Sequence, residues 1–103
     1  MDFYDEEIER EVSQSKVPVL VEFFAKWCRP CEVMKPIVDE IGAELGGKAK
    51  VLVVNIEENS KLANKFTVLT LPTFLVYRDG RRTKRLTGVQ DKRVLLDLLQ
   101  ESV

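Results

Sequence analysis

Two long apolar runs constrain this chain more than any other feature of its sequence. Residues 17–25 read Val-Pro-Val-Leu-Val-Glu-Phe-Phe-Ala, and residues 50–56 read Lys-Val-Leu-Val-Val-Asn-Ile. Such β-branched and aromatic runs fit strands covered on both faces. Between them, Met34, Ile37, Val38, Ile41 and Leu45 recur at the i, i+3, i+4, i+7 spacing of one helical face, which predicts a helix over 29–46. A strand–helix–strand unit over 17–56 needs a right-handed parallel crossover. Pro36 removes a backbone donor inside that helix and predicts a kink. Gly46 and Gly47 predict its end.

The rest of the chain completes the pattern. Residues 5–14 read as a surface helix whose acidic start suits the helix dipole. Asn59 or Ser60 can cap a helix to about Phe66. Strands over 73–78 and 82–87 flank Asp79-Gly80, a strong hairpin signal that makes this pair antiparallel. Asp91 can cap a last helix with Val94, Leu95, Leu98 and Leu99 on one face. Residues 3–4 are a further candidate edge strand. The order α-β-α-β-α-β-β-α gives an α/β fold: a central mixed sheet flanked by helices. A length of 103 residues accommodates one core, so residues 1–103 are expected to form a single domain.

Charge narrows the function. The formal net charge is −1, which points to neither nucleic acid nor an anionic membrane. Arg78, Arg81, Arg82, Lys84, Arg85, Lys92 and Arg93 form a basic segment. It reads as a solvated hairpin and helix start, or else as a docking surface for an acidic partner. Aromatics are not interleaved with these cations, which argues against nucleic-acid binding. No apolar run approaches the ~20 residues of a membrane span. The acidic N-terminus of the chain as given is unlike a signal peptide, so the expected location is cytoplasmic.

The chain has two cysteines and no histidine. That set supplies neither a tetrahedral zinc site nor a Cys–His nucleophile pair. In a reducing cytosol a lone cysteine pair is more often catalytic than structural. Trp27-Cys28-Arg29-Pro30-Cys31 sits where the first buried strand meets the helix, the edge at which open α/β sheets place their sites. Cys28 is expected at the helix N-terminus, where free N–H groups and the dipole favour a thiolate. Cys31 is expected one turn on and more buried. Cys28 would attack a substrate disulfide, and Cys31 would resolve the mixed disulfide. Pro30 is tolerated there because its missing donor had no partner.

These residues resemble the thioredoxin family. The resemblance runs from about residue 17 to the C-terminus. It rests on Val21-Glu22-Phe23-Phe24-Ala25-Lys26-Trp27-Cys28-Arg29-Pro30-Cys31, Pro36, Leu71-Pro72-Thr73, Asp79-Gly80 and Gly88. It implies a three-layer thioredoxin-like fold, protein-disulfide reductase activity and recycling by a dedicated reductase, thioredoxin reductase. It also implies a cis bond before Pro72, which would turn the Leu71 backbone toward Cys28 for strand addition by a substrate.

Glu22 interrupts an apolar strand. The resemblance aligns it with a buried acid beneath the second cysteine. The expectation is a carboxyl whose pKa is raised by desolvation and which takes the Cys31 proton. The competing reading has it reaching solvent past the strand end. Three departures stand out. Arg29 replaces a common glycine and should make the couple more oxidising. Phe24 replaces a tryptophan, a packing change. Val53 replaces a lysine, which should leave Glu22 easier to protonate. Trp27 is expected to be partly packed with one face near the cysteines, and Gly88 to allow close substrate approach rather than merely a turn.

The expected activity is dithiol–disulfide exchange on disulfide-containing proteins by a monomer. The cysteine pair carries the electrons, so no metal or organic cofactor is expected. Rival readings are the same fold poised as an oxidase or isomerase, and a non-catalytic binding module. A zinc or iron–sulfur protein would need ligands from a second copy.

Overall fold

A computed structural model describes residues 5–100. The elements are α1 (Asp5–Gln14), β1 (Val19–Phe24), α2 (Arg29–Leu45), β2 (Lys50–Asn55), α3 (Ser60–Lys65), β3 (Thr73–Arg78), β4 (Arg81–Thr87) and α4 (Lys92–Gln100), with a short 3-10 turn at Gly46–Lys48. The order matches the sequence expectation. The candidate strand at 3–4 lies outside the described residues.

The four strands run β2-β1-β3-β4. β1 pairs parallel with β2 and antiparallel with β3, and β3 pairs antiparallel with β4. Side chains alternate across a strand, so β1 and β3 each feed two cores. On one face Leu20, Phe74 and Val76 meet Met34, Val38, Ile41 and Leu45 of α2 and Leu95, Leu96 and Leu99 of α4. On the other, Val19, Val21, Phe23, Leu75 and Tyr77 meet Ile8 and Val12 of α1 and Leu62 of α3. Ion pairs Lys50–Glu11 at 2.9 Å and Lys65–Glu9 at 2.7 Å fasten α1 to β2 and α3. The sheet is thus the middle of three layers.

The hairpin turn has positive φ at both Asp79 (54°) and Gly80 (76°), the geometry a two-residue hairpin favours. α2 runs through Pro36 and ends at Gly46, whose φ is 54°. Two expectations need correction. Val94 is exposed, and Leu96 takes its place in the core. Asn59 stands at the start of α3 but makes no side-chain cap. Its amide donates instead to the Asn55 carbonyl at 3.0 Å, fastening the loop after β2. Asp91 behaves as expected and accepts from the Arg93 N–H at 3.0 Å.

β4 is an edge strand, and Arg81, Arg82 and Lys84 are exposed on it. Other members of the basic segment have internal partners. Arg85 donates to the Phe66 and Thr67 carbonyls at 2.6 and 2.8 Å. Lys92 pairs with Glu40 and Glu44, joining α4 to α2.

Candidate active site

β1 ends at Phe24, and the chain turns tightly into α2, with the Cys28 N–H donating to the Ala25 carbonyl at 3.1 Å. The turn pushes Lys26 and Trp27 outward. Trp27 is 68% exposed, so its ring is less packed than expected, while it lines the same groove as Cys28, in keeping with one face near the cysteines. Cys28 is the N-cap of α2, with extended φ and ψ, and its sulfur accepts from the Cys31 N–H at 3.2 Å. That bond satisfies one of the four donors a helix start leaves free. Pro30 occupies the first turn, where it removes no helical bond.

Cys28 and Cys31 are joined by a disulfide, with Cα atoms 5.3 Å apart. Both are buried, at 4% and 6% exposure, so the expected contrast of an accessible first and a deeper second cysteine is absent. The disulfide draws both sulfurs into a cluster with Ala25, against which Phe24, Ile56 and Leu71 pack. The contrast lies in what each cysteine opens onto.

Cys28 lines an open groove with Trp27, Arg29, Pro30 and Leu71. The structure therefore gathers four of the expected substrate-facing residues about Cys28. Pro72 is buried behind the groove, and the bond preceding it is cis, as the resemblance implied. Gly88 is not part of the groove. Its N–H donates to the Pro72 carbonyl at 2.8 Å, and its φ of 81° alone accounts for a glycine there. The sequence reading missed Leu69, which also lines the groove and is 88% exposed. Its position just before Leu71-Pro72 was the available signal.

Cys31 lines a different space, a cavity of about 300 Å³ bounded by Glu22, Lys26, Glu32, Lys35, Val53 and Asp39 among others. Glu22 shares the strand face of Leu20, so alternation aims it at α2. It is 3% exposed, which excludes the reading that it reaches solvent past the strand end. Burial pushes its pKa up from 4.5 to about 7, Lys35 pulls it back in part, and Asp39 adds to the rise. Val53, directly opposite Glu22 in register, offers no charge. The raised proton affinity agrees with the expectation of a carboxyl that is easier to protonate, and the cation acting against it comes from α2, as Lys35. Lys35 and Asp39 stand one and two turns beyond Cys31 at i+4 spacing, a signal present in the sequence.

The comparisons with known proteins agree with this geometry. The Thioredoxin family model matches residues 1–101. The chain belongs to the thioredoxin family. A thioredoxin of Rickettsia felis is 40% identical over 99 residues, covering 96% of this chain and 94% of the relative. Thioredoxin 1 of Synechococcus elongatus is 36% identical over 94% of this chain and 91% of its own length. Among solved structures, a Plasmodium falciparum thioredoxin superposes with a TM-score of 0.84 at 28% identity, covering 96% of this chain and 95% of that one. Family membership and the joined Cys28–Cys31 pair make the protein a thiol–disulfide oxidoreductase acting on disulfide substrates. The family needs no cofactor beyond its own cysteines. Among the described residues there is no group of three or more metal-ligating side chains, and no helix long and apolar enough to cross a membrane.

Proposed function

We propose that this protein reduces disulfides in other proteins, with Cys28 as the attacking thiol, Cys31 as the resolving thiol and Glu22 as the proton acceptor for Cys31. The observation that carries the assignment is the position of the Cys28 sulfur. It caps the 17-residue helix α2 at the floor of the open groove. Once the pair is reduced, the helix start favours a thiolate at Cys28. That thiolate attacks a substrate disulfide, forming a Cys28–substrate bond and releasing one substrate sulfur as thiolate. Cys31 gives its proton to Glu22 and attacks Cys28. The mixed disulfide breaks, the second substrate sulfur leaves, and the Cys28–Cys31 bond re-forms. Two electrons have passed to the substrate.

Trp27, Arg29, Pro30 and the Leu71 segment would hold the substrate chain, and Pro72 and Gly88 would shape the backbone behind them. Thioredoxin reductase is the electron donor most in keeping with this chemistry. We read residues 1–103 as one thioredoxin domain, monomeric and cytoplasmic, where a lone redox pair has catalytic use. Sedimentation, limited proteolysis and cell fractionation test those three points. The function itself is tested by insulin reduction with NADPH and thioredoxin reductase beside a redox titration. Turnover that disappears in Cys28→Ser supports the reading. Full turnover in that variant refutes it. A strongly oxidising potential would favour oxidase or isomerase work, a direction to which the Arg29 cation contributes.

A further inference from the structure

The cavity behind Cys31 contains more charge than the exchange reaction requires. Glu22 is the only buried acid in it, and the charges facing it are Lys26 from the turn and Glu32, Lys35 and Asp39 from α2. The strands on either side of Glu22 present only Val53 and Phe74 in register. Lys35 Nζ lies 3.7 Å from Asp39 Oδ2 across one helical turn. Both side chains are largely exposed, so the pair contributes little to stability. Its position at the rim of a chamber holding a buried carboxyl gives it another use.

We propose that Lys35 is a positioning residue for the second half of the reaction, and that with Asp39 it sets the proton affinity of Glu22 and hence the pH at which Cys31 is activated. The inference rests on the reading of Glu22 as proton acceptor. An acceptor must be ionised before the step yet basic enough to take a thiol proton. Burial raises the proton affinity of Glu22, the Lys35 cation on the wall of the same cavity acts against that rise, and the neighbouring Asp39 adds to it. α2 thus carries the proton donor, Cys31, and the adjusting charge, Lys35, one turn apart on one face.

The test is a carbon-detected NMR titration of the Glu22 carboxyl in the oxidised protein. Lys35→Met should raise its midpoint by roughly half a unit, the size a partly screened charge exerts. Lys35→Arg should restore it. Asp39→Asn should move it the opposite way, and ~1 M salt should shrink every difference. A merely structural role for Lys35 predicts no such reversal of sign. A midpoint unmoved or lowered in Lys35→Met overturns the inference. The pH profile of mixed-disulfide resolution, followed by stopped-flow fluorescence of Trp27, separates the two claims. If the profile shifts with the Glu22 midpoint, both stand. If the midpoint shifts and the profile does not, Lys35 still sets the proton affinity, and the acceptor role of Glu22 fails.

Discussion

Two sides of one disulfide differ in kind. On the Cys28 side lies an open groove whose contributors are mostly apolar, Trp27, Leu69 and Leu71 among them, with Arg29 the one charge. On the Cys31 side lies a smaller chamber with charged walls and a buried acid. The two cysteines are nearly equal in exposure. What distinguishes them is therefore neighbourhood, not depth. A groove of exposed apolar side chains suits an extended peptide, and a charged chamber suits a proton.

The comparison breaks most visibly at the sulfurs. Cys28→Ser is expected to reduce insulin reduction to the uncatalysed rate. Cys31→Ser should still attack but then accumulate a covalent substrate adduct, read by intact-mass spectrometry. Equal adduct in both variants would erase the distinction between the sides.

Glu22→Gln sharpens the chamber side. Its resolution rate should fall by about 10²-fold near neutral pH, the lower range for a general base. Stability should move the other way. The folded carboxyl binds its proton up to about pH 7, whereas the unfolded one lets go near 4.5. The stability associated with the protonated form is full below 4.5 and lost as pH rises through about 7. The variant has nothing to ionise, so above that range it should be the more stable by about 3 kcal/mol, a gain that vanishes toward pH 4. Urea melts at both ends of this range decide it. A pH-independent difference would mean that Glu22 is not buried in the ionised form.

Trp27→Ala probes the groove. Loss of one exposed aromatic contact should raise KM for a protein substrate about 5- to 10-fold, while a small-molecule disulfide reports little change. Its pH profile should match the parent. A shifted profile would mean that the two sides are not independent. The smallest effect is expected from Arg29→Gly. Removing an exposed cation next to the nucleophile should make the potential more reducing by about 10–20 mV. An unchanged or more oxidising potential would show that Arg29 serves substrate contact alone.

Sequence patterns revealed the frame because they encode periodicity. The apolar runs, the spacing in α2 and Asp79-Gly80 fix the layers and hairpin, and the parity of Glu22 with Leu20 points the carboxyl at α2. Rotation of α4 was less legible. Leu95, Leu96, Leu98 and Leu99 crowd one short helix, so several apolar faces fit, and only packing against β3 and α2 selects Leu96 over Val94. The chamber was half legible. The sequence shows Val53 where a lysine of the neighbouring strand would be the partner of Glu22. The charge comes instead from a helix across the cavity, a juxtaposition that depends on tertiary distance. Trp27 was misjudged for the same reason, since its exposure depends on how sharply Ala25–Cys28 turns.

The margin formed by β4 has a consequence beyond redox chemistry. Among the described residues it is the outer strand of the sheet, and such an edge is a template for the same strand of a second molecule. Such a meeting would place Arg81, Arg82 and Lys84 against their own copies, with repulsion accumulating along the seam. Neutralising these three side chains should therefore lower the protein's solubility before it changes its catalysis.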